Sequence, residues 1–397
     1  MNSAARMSPD ELRASLSLAS IFALRLFGMF VILPVFALHA EGRPGWTLTL
    51  VGVALGAYGL VQGLLQIPFG WISDRVGRKP VIYAGLAVMA AGSFLCAASD
   101  SPWVVILGRS LQGAGAISGT VLAFAADLTR DSQRTKVMAI IGSTIGAMFG
   151  LSFIAGPFLD RSIGVSGIFV LTGVLCITAM AVVRFAVPAA PPVLRGAAPT
   201  SFGEVLRDTE LARLNVGIFA LHAVLMALFV VVPSALVRAG LPAADHWWVY
   251  LATVTAGFVL MLPGVAGPAA SRDRPVFLVA IAAVAVSLAA MALMLEGLAG
   301  IVAALVIFFA GFNVLEAKLP ALVSRAAPRG ARGAATGVYS SVQFLGTFAG
   351  AAAGGALAQH AGAVAVLAAC LALTAGWFAL AWGMGQPLPR PTHPTGN

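Results

Sequence analysis

The sequence predicts an all-α membrane protein of twelve transmembrane helices in two six-helix bundles. Three observations carry this. Of the 397 residues, 59% are hydrophobic and only 10% charged, against roughly 25% charged in a soluble domain. Apolar runs of about 20 residues, the length that crosses a bilayer, recur along the whole chain. A proline-rich polar stretch at 188–212 divides those runs six and six. Twelve spans with short loops leave no room for a sizeable soluble domain.

In chain order the spans read 16–38, 49–72, 80–99, 103–126, 137–159, 166–187, 213–236, 246–268, 275–295, 299–320, 335–358 and 362–384. Residues 1–13 are polar and read as a cytoplasmic N-terminus. The first apolar run outlasts a signal-peptide core, so no cleavable leader is expected. Residues 14–187 form the N-terminal bundle and 213–384 the C-terminal bundle, with a tail at 385–397. Between the bundles, Pro188, Pro191, Pro192 and Pro199 precede a polar run from Glu204 to Asp208. This predicts a cytoplasmic linker with a short amphipathic helix.

Charge placement orients the chain. Of the 24 Lys and Arg residues, 18 fall on the side of the N-terminus, 3 on the opposite side (Arg43, Arg161, Arg238) and 3 inside spans (Arg25, Arg109, Lys318). The positive-inside rule then puts both termini in the cytoplasm. The same scatter of basic residues over short loops argues against nucleic acid as the partner of a chain with net charge +9. Cys96, Cys176 and Cys370 all lie in apolar runs and read as small core residues. No metal, cofactor or catalytic cluster is expected. The expected partners are a small-molecule substrate, protons and the lipid bilayer, with the chain acting as a monomer.

The densest charge lies between spans 2 and 3, in Gly70-Trp-Ile-Ser-Asp74-Arg75-Val-Gly77-Arg78-Lys79. This G-x-x-x-D-R-x-G-R-K spacing resembles the loop between helices 2 and 3 of the major facilitator superfamily. The resemblance implies a conformational latch: Asp74 against the N-terminus of helix 11, where the helix dipole favours an anion, and Arg78 paired with Asp127. The second-half counterpart, Gly264 to Arg274, keeps basic charge but has no acid at the position of Asp74. Arg109-Ser-Leu-Gln112-Gly-Ala-Gly115 resembles the R-x-x-Q-G-x-G motif on helix 4 of drug–proton antiporters in that superfamily, which implies a role for Arg109 in proton coupling. Arg109 and Gln112, three apart, share a helix face. Gly142, Gly146 and Gly150, followed by Gly156-Pro157, resemble the helix 5 glycine–proline motif of the same antiporters. The glycines give a smooth ridge for close packing, and the proline a bend.

A charge at mid-bilayer costs roughly 2.5–3.5 kcal/mol on insertion scales and marks a functional candidate. Arg25 in span 1 is expected to face the bundle interior and hold an acid or an anionic substrate. His222 in span 7 and Glu316 in span 10 are the histidine and carboxylate placed well inside spans. An apolar surrounding tunes the protonation of both, so both are candidate proton carriers. Glu316 and Lys318 are two apart and do not face each other on a helix. Arg25, Gln112, Phe30, Phe312 and Asn313 are expected to line the substrate cavity.

Four strings resemble the bacterial YajR-type inner-membrane transporters: Arg25 to Pro34, Asp127-Leu-Thr-Arg130, Leu221-His222-Ala, and Phe312 to Pro320. The resemblance implies protonation at His222 and Glu316. The C-terminal soluble domain of the type member is expected to have no counterpart after span 12. The expectation is a proton-coupled secondary transporter exporting small amphipathic or drug-like compounds. A proton symporter importing a small organic acid is the alternative. No motif for an enzyme or a channel filter is found.

Overall fold

The computed structural model describes residues 7–189, 202–265, 273–328 and 331–384. Residues 1–6, most of the expected linker, the 266–272 segment with Arg272, and the 385–397 tail lie outside the described residues.

The first crossing is made of α1 (Pro9–Phe30) and α2 (Leu33–Ala40). Ser8 and Glu11 cap α1 reciprocally, each side chain taking the other's backbone N–H. Pro34 opens α2, where its missing N–H costs no bond. Next come α3 (Leu48–Val76) and α4 (Arg78–Ala97), split at Gly77, whose φ of 98° only glycine adopts without strain. They are followed by α5 (Pro102–Ala114), α6 (Ser118–Asp127) and α7 (Asp131–Phe185). The second half comprises α8 (Phe202–Arg207), α9 (Thr209–Arg238), α10 (His246–Val265), α11 (Asp273–Leu293), α12 (Leu298–Ala326) and α13 (Arg332–Trp382). Asp208 caps α9 by accepting from the N–H groups of Glu210 and Leu211.

Nine stretches among the described residues are long and apolar enough to cross a membrane. Two of them are double crossings. A straight helix of the 55 residues of α7 would reach about 80 Å, far beyond a bilayer. Non-helical backbone at Gly164 folds α7 into two limbs, and Gly362 does the same in α13. With α5 and α6 sharing one crossing, the total is twelve.

Three edges differ from the sequence expectation. The 103–126 span is broken at 115–117, where Gly113 presses on the Tyr58 backbone and Gly115 on the Gly85 carbonyl. The expected loops after 159 and 358 shrink to single glycine kinks. A short helix, α8, forms just ahead of α9.

In the first half, α1 and α4 pack on α7, and α3 and α4 on α5. In the second, α9 packs on α13, and α11 and α10 on α12. The halves meet along α3 with α13, α7 with α10, and α2 with α9. The α3–α13 seam is closest: Gly52, Gly56, Gly59 and Gly63 of α3 leave no room for a side chain against Ala351, Phe348, Thr347 and Ser341 of α13.

The two ends of the molecule differ. On the face of the termini, basic side chains cap the last carbonyls of helices: Arg13 donates to Ala186 and Phe185, Lys79 to Val187, and Arg274 to Trp382. On the opposite face the halves are tied together. Thr49 donates twice to Gln359, at 3.0 and 2.6 Å, and Ser234 donates to Glu41 at 2.7 Å. Phe153 stacks on Phe229 at 4.9 Å nearby. Toward the termini, the α7–α10 contact opens. A methyl at Gly150 would sit 3.6 Å from Val254, one at Gly146 3.6 Å from Phe258, and one at Gly142 would meet nothing within 4 Å. The molecule is closed on one face and parted on the face of the termini.

Candidate proton site and its surroundings

His222, Glu316 and Gln343 converge from α9, α12 and α13. The amide nitrogen of Gln343 lies 2.8 Å from His222 Nε2 and 3.4 Å from Glu316 Oε1. His222 Nε2 and Glu316 Oε2 are 3.8 Å apart. An amide NH2 only donates, so His222 Nε2 and Glu316 Oε1 both accept from it. The Glu316 side chain keeps 34% of its surface exposed, against 10% for His222, although its Oε2 is itself buried. Among the described residues, Glu316 Oε2 and His222 Nδ1 complete no hydrogen bond. Phe312 covers the imidazole at 5.9 Å between centroids, and Asn313 is buried one residue on, its Nδ2 without a partner among the described residues.

The first half supplies a second polar cluster. Arg25, 1% exposed, donates to Ser118 Oγ (2.7 Å), Tyr58 Oη (2.7 Å) and Gln62 Oε1 (2.6 Å). These three partners are neutral, so hydroxyl and amide dipoles solvate the guanidinium charge. Arg109 is equally buried. It donates to Gln112 Oε1 at 2.7 Å, reaches the Ala54 and Leu55 carbonyls at 3.4 and 3.5 Å, and lies 5.1 Å from the Tyr58 ring centroid. Gln112 in turn donates to Ser93 at 2.8 Å. Tyr58 therefore stands between two cations, with its hydroxyl on Arg25 and its ring toward Arg109.

Aromatic rings fill the space between the clusters. Phe149 of α7 meets Phe30 edge-on at 5.3 Å and stacks with Phe312 at 5.9 Å. Tyr58 of α3 meets Phe344 of α13 at 6.4 Å. Arg25 and Gln112 are thus packed inside the first half, while Phe30 and Phe312 reach the centre through Phe149.

The charged loop folds on its own half. Arg78 donates to Asp127 Oδ2 at 2.9 Å and to Ser73 Oγ at 2.7 Å, and pairs closely with Asp74. Arg75 stacks 3.5 Å over Trp71, and Lys79 caps Val187. Gly70 has open space around it. The Asp74 side chain is 61% exposed and faces Arg78; the start of α13, on the parted face, is not among its partners. Of the helix 5 glycines, Gly142, Gly146 and Gly150 line the parted seam, and Gly156 is pressed against Val31 and Pro34 beside Pro157.

Sequence reasoning missed Gln343, Tyr58, Gln62 and Ser118. Gln62 and Gln343 left a signal: each is an amide inside an otherwise apolar span. Tyr58 and Ser118 left none, since only the fold brings them to Arg25.

The family model described as Major Facilitator Superfamily matches residues 18–351. Inner membrane transport protein YajR of Escherichia coli K12 is 40% identical over 387 residues, spanning 96% of this chain and 85% of that protein. Multidrug resistance protein MdtH of Yersinia enterocolitica is 36% identical over 138 residues, 32% of this chain and 34% of that one. The crystal structure of the human organic anion transporter MFSD10 superposes with a TM-score of 0.70 at 19% identity, over 94% of this chain and 100% of that one, a likeness of fold.

Proposed function

Because the chain belongs to the Major Facilitator Superfamily, a family of transporters and not of enzymes, we propose that it is a proton-coupled secondary transporter. On this reading it exports small amphipathic or drug-like compounds in exchange for protons. The observation that carries the reading is the His222–Gln343–Glu316 cluster: two titratable groups inside the membrane, bridged by one amide. Intramembrane ionisable groups of this kind mark proton relays. Glu316 and His222 take the proton, and Arg109 tunes the cavity potential from the first half. The two halves rock about the centre. The loop of Asp74, Arg75, Gly77, Arg78 and Lys79, with Asp127, is the switch on the parted face. The aromatic lining suits a lipophilic cargo better than a sugar. The name of MdtH supports drug-like cargo for that relative, and the name of YajR supports placement in the inner (plasma) membrane. On this reading the termini are cytoplasmic, the parted face opens inward, and the chain acts as a monomer.

A second reading is favoured by one observation. Arg25 and Arg109 are buried, and their hydrogen-bond partners among the described residues include no carboxylate. An anion and the Glu316 proton would bind together in that field, which gives symport of a small organic acid. Accumulation of ethidium in bacterial cells expressing the chain tests the choice. Export predicts lower accumulation than in empty cells, lost with Glu316→Gln. Equal accumulation with faster uptake of a carboxylate would replace export with symport.

A further inference from the structure

The α3–α13 pair runs antiparallel, so a helix begins at each end of it. Along the pair, Gly52 faces Ala351 and Gly355, Gly56 faces Phe348, Gly59 faces Thr347, and Gly63 faces Ser341. The spacing widens toward the termini. A methyl at Gly337 would stand 3.9 Å from Ile67, and one at Gly333 would meet nothing within 4 Å. The pair is clamped at the closed face and splayed at the parted one.

The clamped end is finished by a cap that crosses between the halves. The first N–H groups of a helix have no partner within it. In α3, Thr47 accepts from the Leu50 N–H. Gln359 of the other half accepts from the Thr49 N–H at 3.0 Å and from the Thr49 hydroxyl at 2.6 Å. Gln359 and Asp74 hold matching places. Each lies three residues before a glycine of positive φ, Gly362 at 80° and Gly77 at 98°, that ends its limb or helix. Each stands on the last turn of one helix, at the end of the pair where the other begins. Gln359 reaches the start of α3, whereas Asp74, at the splayed end, turns to Arg78.

We propose that Gln359 is the latch of the closed face: its amide oxygen caps α3 across the seam in this state and lets go when that face opens. The inference rests on the rocking of two halves in the proposed function, and on neither its cargo nor its proton. Thr49 and Gln359 belong to different halves, so no opening of this face keeps both bonds. Asp74 and Gln359 sit at opposite ends of one packed pair, so a rocking motion that brings one to its helix start carries the other away. The two differ in charge. An anion at a helix start gains from the dipole, whereas the Gln359 amide offers a neutral acceptor. A carboxylate in its place would hold the closed face more firmly shut. Gln359 is exposed and Thr49 half-buried, so changes at either leave the core untouched.

The test uses the full chain in lipid nanodiscs at neutral pH, without cargo, in a background lacking Cys96, Cys176 and Cys370. Single-molecule energy transfer between dyes at Ser101 and Ala243 follows the closed face. A second dye pair, at Ser132 and Leu206, follows the parted one. The readout is the ratio of time shut to time open on the closed face. Gln359→Leu should lower it about two- to tenfold, the weight of a net hydrogen bond. Thr49→Val, which spares the backbone bond, should lower it less. Gln359→Glu should raise it about two- to fivefold through the helix dipole. A contact that only fills space would give no such rise. A ratio unchanged in Gln359→Leu, or lowered in Gln359→Glu, would overturn the latch. A closed face that never opens in any variant would contradict the rocking of the halves, and the latch with it.

Discussion

Arg25 is held by three neutral side chains from two helices, and that arrangement sets what replaces it. Its flat fork reaches Ser118 with one nitrogen and Tyr58 and Gln62 with the other. Lysine offers a single point of three donors and cannot span the same acceptors. Arg25→Lys is therefore expected to lower the unfolding temperature in detergent and to cut transport at least tenfold. Arg25→Met, which also strands three buried acceptors, is expected to cost about 1–3 kcal/mol. A wild-type melting profile for Arg25→Lys would contradict the geometry. At the loop, Arg78→Ala removes both the Asp127 bond and the Asp74 pair. Asp74 is 61% and Asp127 37% exposed, so solvent screens both pairs and the stability loss should stay within about 1 kcal/mol. A larger effect on transport than on melting would then locate the role of Arg78 in the switch.

Glycine spacing divides the helices into tight and loose seams. On α13, Gly346, Gly350 and Gly354 face α9 at Phe219, Ala223 and Ala227, while α3 brings four glycines to the other side of the same helix. A side chain at Gly350 would overlap the Ala223 backbone. Gly350→Leu should therefore cost about 1–3 kcal/mol or block assembly, the range for overpacking a core. Gly142→Ala and Gly146→Ala meet open space or ordinary contact in this state and should melt as the wild type. Much at this scale was legible in the sequence. The apolar runs and Gly77 were readable because hydropathy and backbone freedom are local properties. The kinks at Gly164 and Gly362 and the break at 115–117 were not, since a helix continues or stops according to what presses on it. The same limit applied to the site. His222 and Glu316 stood out as charges in apolar runs, while Gln343, 27 residues from Glu316, joined them only through the packing of α12 and α13.

For the whole molecule, the two faces make opposite predictions. Thr49 and Gln359 belong to different halves and are hydrogen-bonded on the closed face. A Thr49→Cys, Gln359→Cys pair, in a background lacking the three buried cysteines, should cross-link on oxidation, stop transport and regain it on reduction. Free transport by the fully cross-linked protein would contradict a cycle in which that face opens. The halves also divide the charge. Two guanidiniums lie in the first and the mid-span carboxyl and imidazole in the second, so protonation changes the attraction between halves as well as the cavity.

The most direct measurement is proton movement driven by cargo. The chain would be placed in liposomes holding a pH dye, and lipophilic cations such as tetraphenylphosphonium and ethidium added outside. The account predicts a cargo-dependent proton flux that is lost in both Glu316→Gln and His222→Ala. Cargo movement with no proton flux, and variants that behave as the wild type, would leave the fold standing and contradict proton coupling at this site.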